Sequence, residues 1–314
     1  MYKRFFSLSR NPFEISPDPY FLFPTERHND ALASLYYGIR RRKGFVVMTG
    51  EVGTGKTLLV RCLLELLNRQ QVSFANVFNP LLSGTEFLRY VIGDLGLKSQ
   101  DNSKSSLLPT LNEFLIARYR KGLSTVLIVD EAQHLLPEVL EEIRLLTNLE
   151  TSQEKLLQIV LVGQPELDHR LDSPDLRQLK QRIALRCRLE ALDERETREY
   201  IVQRLRRAGM AEGVESVFPA ETISAVYQYS HGIPRLINTL CENALIAAFA
   251  RQTKSVSPDR VREVSAEFRL DHEPTKAPAK TNGQDHQAAS GTLLELLESL
   301  QRFRVRSTNP VPFL

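Results

Sequence analysis

Gly50, Glu51, Val52, Gly53, Thr54, Gly55, Lys56 and Thr57 have the residue types and spacing of a phosphate cradle. They fit G-x-x-x-x-G-K-[ST], in which glycines let backbone N–H groups turn inward on phosphate oxygens, the lysine reaches the β- and γ-phosphates and the hydroxyl ligates Mg²⁺. Such a motif needs a strand before it and a helix after it. Residues 45–48 form an apolar run that predicts a buried strand. Residues 58–67, opening with Leu58, predict an apolar helix whose N-terminus adds a favourable dipole for anionic charge. A glycine-rich stretch alone is only a turn, but with both flanks present it implies ATP held with Mg²⁺.

A second group of polar residues falls at the ends of later apolar runs. In TVLIVDEAQHL, Asp130 and Glu131 close an apolar strand, where open α/β sheets place their ligand crevices. Asp130 is suited to hold Mg²⁺, with Thr57, and Glu131 to orient or deprotonate a water attacking a γ-phosphate. The plainer alternative is a pair of acids at a helix N-terminus. Gln164 ends the run LLQIVLVG, where one amide can both donate to and accept from a phosphate or a water, or simply terminate a strand before Pro165.

Arg177, Lys180, Arg182, Arg186 and Arg188 crowd a short span. They suit a solvated face, a basic surface for nucleic acid, or an arginine offered to a neighbouring subunit's nucleotide. Arg235 stands in the first turn of an apolar helix, where a cation opposes the helix dipole and calls for an anion, either a γ-phosphate or a nearby carboxylate.

The elements that must position these groups alternate. Strands are expected at residues 72–78, 124–130, Leu157–Gly163 and 183–189, with helices at 107–120 and 138–149, which argues for a parallel sheet covered on both faces over about residues 40–192. From residue 193 the pattern turns to helices alone: 193–208, 219–229, Pro234–Ala250 and a short one from Ser257 and Pro258 to about 268. Residues 1–43 are read as an N-terminal arm with a first helix, 44–192 as the α/β nucleotide-binding domain, and 193–268 as a helical lid. Residues 269–291 are polar and read as a disordered linker, followed by a tail, 292–314, with an amphipathic helix suited to packing on its own protein or docking on a partner.

Composition narrows the setting. The chain has 314 residues, 42% hydrophobic and 25% charged, with a formal net charge of +3, ordinary for a soluble globular protein and neither demanding nor excluding an acidic partner. Cys62, Cys187 and Cys241 are far apart and read as buried small apolar residues in a reducing compartment. No run has the length of a signal peptide's apolar region or a membrane span, so a cytoplasmic location is expected.

Taken together, the cradle, the Asp130–Glu131 pair, Gln164, Arg182 and the G-x-P-R of Gly232 to Arg235 in a helical lid resemble an AAA+ ATPase of the P-loop NTPase class. The N-terminus narrows the resemblance. Phe5, Phe6, Ser7 and Leu8, then Asn11, Pro12 and Phe13, then residues 17–22, His28 and a helix at 31–39 are similar to the opening of the bacterial general secretion pathway A ATPases. TGEVGTGKT, VDEAQHL and LVGQPEL fit the same family.

The resemblance, over about residues 1–268, implies Lys56 and Thr57 on ATP and Mg²⁺, Asp130 on Mg²⁺, Glu131 as catalytic carboxylate, Gln164 as sensor 1, Arg235 as sensor 2 and Arg182 as arginine finger, with Arg177 as substitute. It also implies a nucleotide-dependent homo-oligomer, an arm that helps close over the adenine, and an envelope-assembly protein partner. The chain reads as a short form, without the membrane span and peptidoglycan-binding region of secretion-type members. That directs the expectation toward pilus, exopolysaccharide or exosortase-linked systems, peripheral to the inner membrane through partners. The alternative is a DNA-associated regulator of the transposition type, with residues 40–43 and 204–207 meeting phosphates. The absence of a recognisable helix-turn-helix counts against it.

Overall fold

The computed structural model describes residues 2–68, 71–78, 81–99, 101–210 and 212–270. The expected linker and tail helix lie outside the described residues. A short helix α1 (Tyr2–Phe5) and a 3-10 turn (Pro19–Phe21) precede α2 (Glu26–Arg40). The alternating region then runs β1 (Phe45–Gly50), α3 (Lys56–Asn68), β2 (Ser73–Val77), α4 (Gly84–Asp94), α5 (Lys104–Arg120), β3 (Thr125–Val129), α6 (Pro137–Leu146), β4 (Leu157–Gly163), α7 (Pro165–Leu171), α8 (Arg177–Lys180) and β5 (Leu185–Leu189). Helices α9 (Glu194–Arg207), α10 (Val214–Val217), α11 (Ala220–Ser230), α12 (Pro234–Ala250) and α13 (Pro258–Glu267) follow.

The five strands make one parallel sheet in the order β2-β3-β4-β1-β5, as the alternation predicts. The central strands β1, β3 and β4 are buried at every position, whereas the edge strands β2 and β5 alternate, because only strands covered on both faces need continuous apolar residues. Period-two alternation sends Phe45, Val47, Leu127, Val129, Ile159 and Leu161 into one core with α4 to α8. Val46, Met48, Val126, Ile128, Val160 and Val162 are equally buried, and α2 lies against β5, β1 and α3.

Helix starts follow local chemistry. Ser83 and Glu86 form a capping box on α4, a helix the sequence reading passed over, and Asp193 and Glu196 form another on α9. Pro137, Pro165, Pro234 and Pro258 sit at the first helical position, whereas Pro219 caps α11 from outside it. The last strand is two residues shorter than expected, beginning at Leu185.

The N-terminal arm shares a core with the C-terminal helices. Phe6, Leu8, Phe13 and Phe21 are buried with Tyr200, Leu205, Phe218, Ile237 and Leu240. The arm also reaches α3, where Arg61 donates to the Pro17 carbonyl at 2.5 Å. Burying four large side chains contributes on the order of 1.5–3 kcal/mol each, so the arm is an integral part of the helical layer. The three cysteines are free and buried, as expected. Among the described residues, no helix is long and apolar enough to cross a membrane.

Candidate nucleotide site

The cradle joins the end of β1 to the start of α3. Gly53 and Gly55 have φ of +84° and +100°, left-handed conformations that favour glycine. Gly53 has a second reason: a Cβ there would come within 2.6 Å of Arg235 Cβ and 3.0 Å of Ile233 Cγ2. Glycine thus lets the first turn of α12 sit directly on the loop, and the Arg235 N–H donates to the Gly53 carbonyl at 3.2 Å. Thr54 closes the loop on itself, its hydroxyl donating to the Glu51 carbonyl at 2.8 Å. Glu51 and Val52 are exposed at the tip, and Leu58 is half-buried in the first turn of α3.

Lys56 is buried and points back into the cradle, donating to the carbonyls of Gly50 at 2.7 Å and Glu51 at 2.9 Å. Burial lowers its pKa, while the charges of Glu131, Asp130, Glu51 and Glu166 pull the other way. A desolvated ammonium held only by carbonyl oxygens is suited to a polyphosphate.

At the C-terminal ends of β3 and β4 the expected carboxylates and amide come together. The Thr57 hydroxyl donates to Asp130 Oδ2 at 3.1 Å, and the Glu131 N–H donates to Asp130 Oδ1 at 2.9 Å. Burial raises the Asp130 pKa, against the lowering effect of those two hydrogen bonds. A buried carboxylate beside a hydroxyl, both hard oxygen donors, fits Mg²⁺, which is commonly bound through one or two protein groups with water and phosphate oxygens supplying the rest. No cluster of three or more His, Cys, Asp or Glu suited to a metal occurs among the described residues.

Glu131 adopts φ +54°, and its Oε2 accepts from Gln164 Nε2 at 3.2 Å. Gln164 is placed by the end of β4 and by Pro165 opening α7. Thr49 of β1 donates to Asp168 of α7 at 2.7 Å, fixing that helix against the strand that leads into the cradle.

Two participants were not assigned roles from the sequence. Gln133, two residues beyond Glu131, donates to Glu131 Oε2 at 2.6 Å. His28 of α2 lies under the cradle, Nε2 at 3.2 Å from the Thr54 carbonyl and Nδ1 at 2.6 Å from Thr25 Oγ1. The signals were present, in DEAQ and in the Thr25 cap, but neither type announces its target without the fold.

The two expected arginines lie apart. Arg235 is exposed beside the cradle, with no ion pair to a carboxylate among the described residues. Arg182 stands before β5, half-buried, its Nη1 donating to Thr147 Oγ1 at 2.9 Å, and Arg177 is exposed at the start of α8.

A parallel β2-β3-β4-β1-β5 sheet with a phosphate cradle after β1 and helices on its faces is the arrangement of an AAA domain, and residues 39–171 match the AAA domain family. The chain contains an AAA domain and is similar to general secretion pathway protein A. It is 46% identical over 257 residues to that protein of Aeromonas hydrophila, a match covering 82% of this chain and 46% of the relative. It therefore spans about half the relative's length.

The fold is also similar to the ORC2 protein of Aeropyrum pernix, solved as ADPNP-ADP complexes (TM-score 0.60, 19% identity, 82% of this chain and 72% of that one). It resembles Drosophila ORC bound to DNA as well (TM-score 0.64, 20% identity, 84% and 66%). At these identities the likeness concerns the fold alone.

Proposed function

We propose that the chain is a Mg²⁺-dependent ATPase that assembles as a homo-oligomer and drives or regulates an envelope-associated assembly, working at the inner membrane through protein partners. The observation that carries the chemistry is the hydrogen-bonded series Thr57, Asp130, Glu131, Gln164 at the strand ends, beside a buried Lys56. Lys56 and the N–H groups of residues 50–57 bind and orient the β- and γ-phosphates. Thr57 and Asp130 hold Mg²⁺, which when bound neutralises developing charge on the phosphate oxygens.

Glu131 accepts a proton from water as the water oxygen bonds to the γ-phosphorus and the bond to the bridging oxygen breaks, giving ADP and phosphate. Gln164 reads the γ-phosphate, and Arg235 reaches it from the lid. The envelope setting is supported by the relation to general secretion pathway protein A.

The DNA-associated alternative loses three of its arginines to contacts within the protein, while Arg40, Arg41, Lys43 and Arg206 are exposed. Arg42 pairs with Glu154 at 3.3 Å and lies over the Tyr119 ring. Arg204 is buried against Asn238, Phe21 and Tyr200, and Arg207 donates to the carbonyls of Tyr20 and Leu22. All three tie the protein to itself.

The test is ATP turnover with Mg²⁺ and with EDTA, in wild type and Glu131→Gln. Turnover that requires Mg²⁺ and falls at least 10²-fold in the variant, with ATP still bound, is expected. Undiminished turnover in Glu131→Gln would refute the assigned role, and stimulation by duplex DNA that declines steeply with salt would move the assignment to DNA.

A further inference from the structure

Gln133 sits in the 3-10 turn that follows β3, only 7% exposed, and its amide is committed at both ends. Its Oε1 accepts the backbone N–H of Gln164 at 3.1 Å. That end is walled in by β4, since a Cβ at Gly163 would stand 2.9 Å from the same oxygen. With the oxygen fixed on the Gln164 N–H, the nitrogen must face Glu131, and it donates to Oε2 at 2.6 Å. The turn is braced from α7: Arg170 donates from Nη1 to the Gln133 carbonyl at 2.5 Å and from Nη2 to the Leu135 carbonyl at 2.8 Å.

Glu131 needs a restraint of this kind. Its backbone is left-handed at φ +54°, unfavourable for a residue with a Cβ, and its side chain is only half-buried. The Gln164 side-chain amide reaches the same Oε2 at the longer 3.2 Å, and among the described residues no donor reaches Oε1.

We propose that Gln133 is the positioning residue of the hydrolytic carboxylate. It holds Oε2 so that Oε1 faces the attacking water, and it keeps Glu131 in place when the Gln164 side chain turns to the γ-phosphate. This rests on the reading of Glu131 as the group that takes the water's proton. Gln133 acts through Glu131, so its loss lowers kcat and leaves ATP binding alone.

The decisive variant is Gln133→Glu, which keeps the acceptor for the Gln164 N–H and replaces the donor facing Glu131 by a carboxylate oxygen. In the full chain, kcat is expected to fall about 10–100-fold, the range known for outer groups that orient a metal ligand, carried over to one that orients a carboxylate. KM and the affinity for a fluorescent ATP analogue should stay within about twofold.

Adding Glu131→Gln reverses the polarity of the pair, because the amide now at 131 donates to the carboxylate now at 133. The double variant should recover part of the melting temperature lost in Gln133→Glu while turnover stays absent. Wild-type kcat in Gln133→Glu beside a dead Glu131→Gln would overturn the positioning role and leave Glu131's role standing. Wild-type turnover in Glu131→Gln would overturn both. A matched loss of nucleotide affinity in Gln133→Glu would assign Gln133 to holding the site together, against the proposal. Should Gln133→Glu fail to fold, Gln133→Met, similar in volume and without the N–H, decides by the same kcat and KM criteria.

Discussion

His28 shows how one buried side chain ties the N-terminal arm to the cradle. Its backbone N–H donates to Thr25 Oγ1 at 3.2 Å, which leaves the threonine proton for Nδ1 and the Nε2 proton for the Thr54 carbonyl. The Nδ1 contact calls for the neutral ring, whereas the Nε2 contact is open to either state. Burial lowers the His28 pKa, opposed by the Thr54 hydrogen bond and the Glu196 charge and reinforced by Arg27. Because the folded value lies below the unfolded one, the unfolded chain binds the extra proton first. Stability is full above about pH 6.5 and falls as pH drops below that value, by at most about 1.4 kcal/mol per pH unit from this group. His28→Gln, which keeps an N–H for the Thr54 carbonyl, should therefore lose less stability than wild type between pH 7 and pH 5 in urea titrations. Equal losses in the two proteins would remove the histidine from the account.

At the scale of elements, the first turn of α12 rests directly on the cradle, the Arg235 N–H donating to the Gly53 carbonyl at 3.2 Å. Gly53 and Gly213 both have positive φ, +84° and +81°, but a Cβ at Gly213 would meet nothing within 4 Å, whereas one at Gly53 would strike Arg235 and Ile233. Gly213→Ala should cost only the left-handed backbone strain, roughly 1–2 kcal/mol. Gly53→Ala should cost more in thermal melts without nucleotide, and should weaken ATP binding by lifting the first turn of α12 away. Equal costs would mean that α12 does not bear on the cradle in solution.

This junction also marks what the sequence could convey. The central strands were legible because a strand covered on both faces needs an uninterrupted apolar run, and Lys56, Asp130 and Glu131 were legible because the chemistry dictates their spacing. Gln133 and His28 were not, because a buried amide or imidazole takes its meaning from partners far away in the chain, Gln164 and Thr54. The arm's place beside α9 and α12 escaped for the same reason: Phe6 and Phe13 are ordinary apolar residues until the helices that bury them are known. Helix α4 was a different case, since Ser83 and Glu86 carried a capping box that could have been read.

For the whole molecule the question is whether one subunit can complete its own site. Leu185 pairs with Val46, and the Ala184 N–H donates to the Phe45 carbonyl, so Arg182 lies near the starting edge of the sheet while Gly50 and Asp130 lie at the other. Four strand residues separate these levels, roughly 13 Å at about 3.3 Å each, before the offset between strands is added. An arginine side chain tethered to Thr147 does not span that gap within its own subunit. The finger role expected of Arg182 therefore requires the nucleotide of a neighbouring subunit, where a finger supplied in trans contributes about 10³–10⁵ in rate.

Turnover per wild-type subunit should then rise with protein concentration, and Arg182→Ala should lose most of it while still binding ATP. Mixing Arg182→Ala with Lys56→Ala should recover activity, because the first retains an intact cradle and the second an intact finger. Arg182→Lys, which keeps a cation but not the planar fork, should remain slow. If Arg177→Ala collapses turnover and Arg182→Ala does not, the finger is Arg177 on the exposed start of α8. If neither variant changes turnover and concentration has no effect, each subunit hydrolyses ATP alone and assembly serves some purpose other than catalysis.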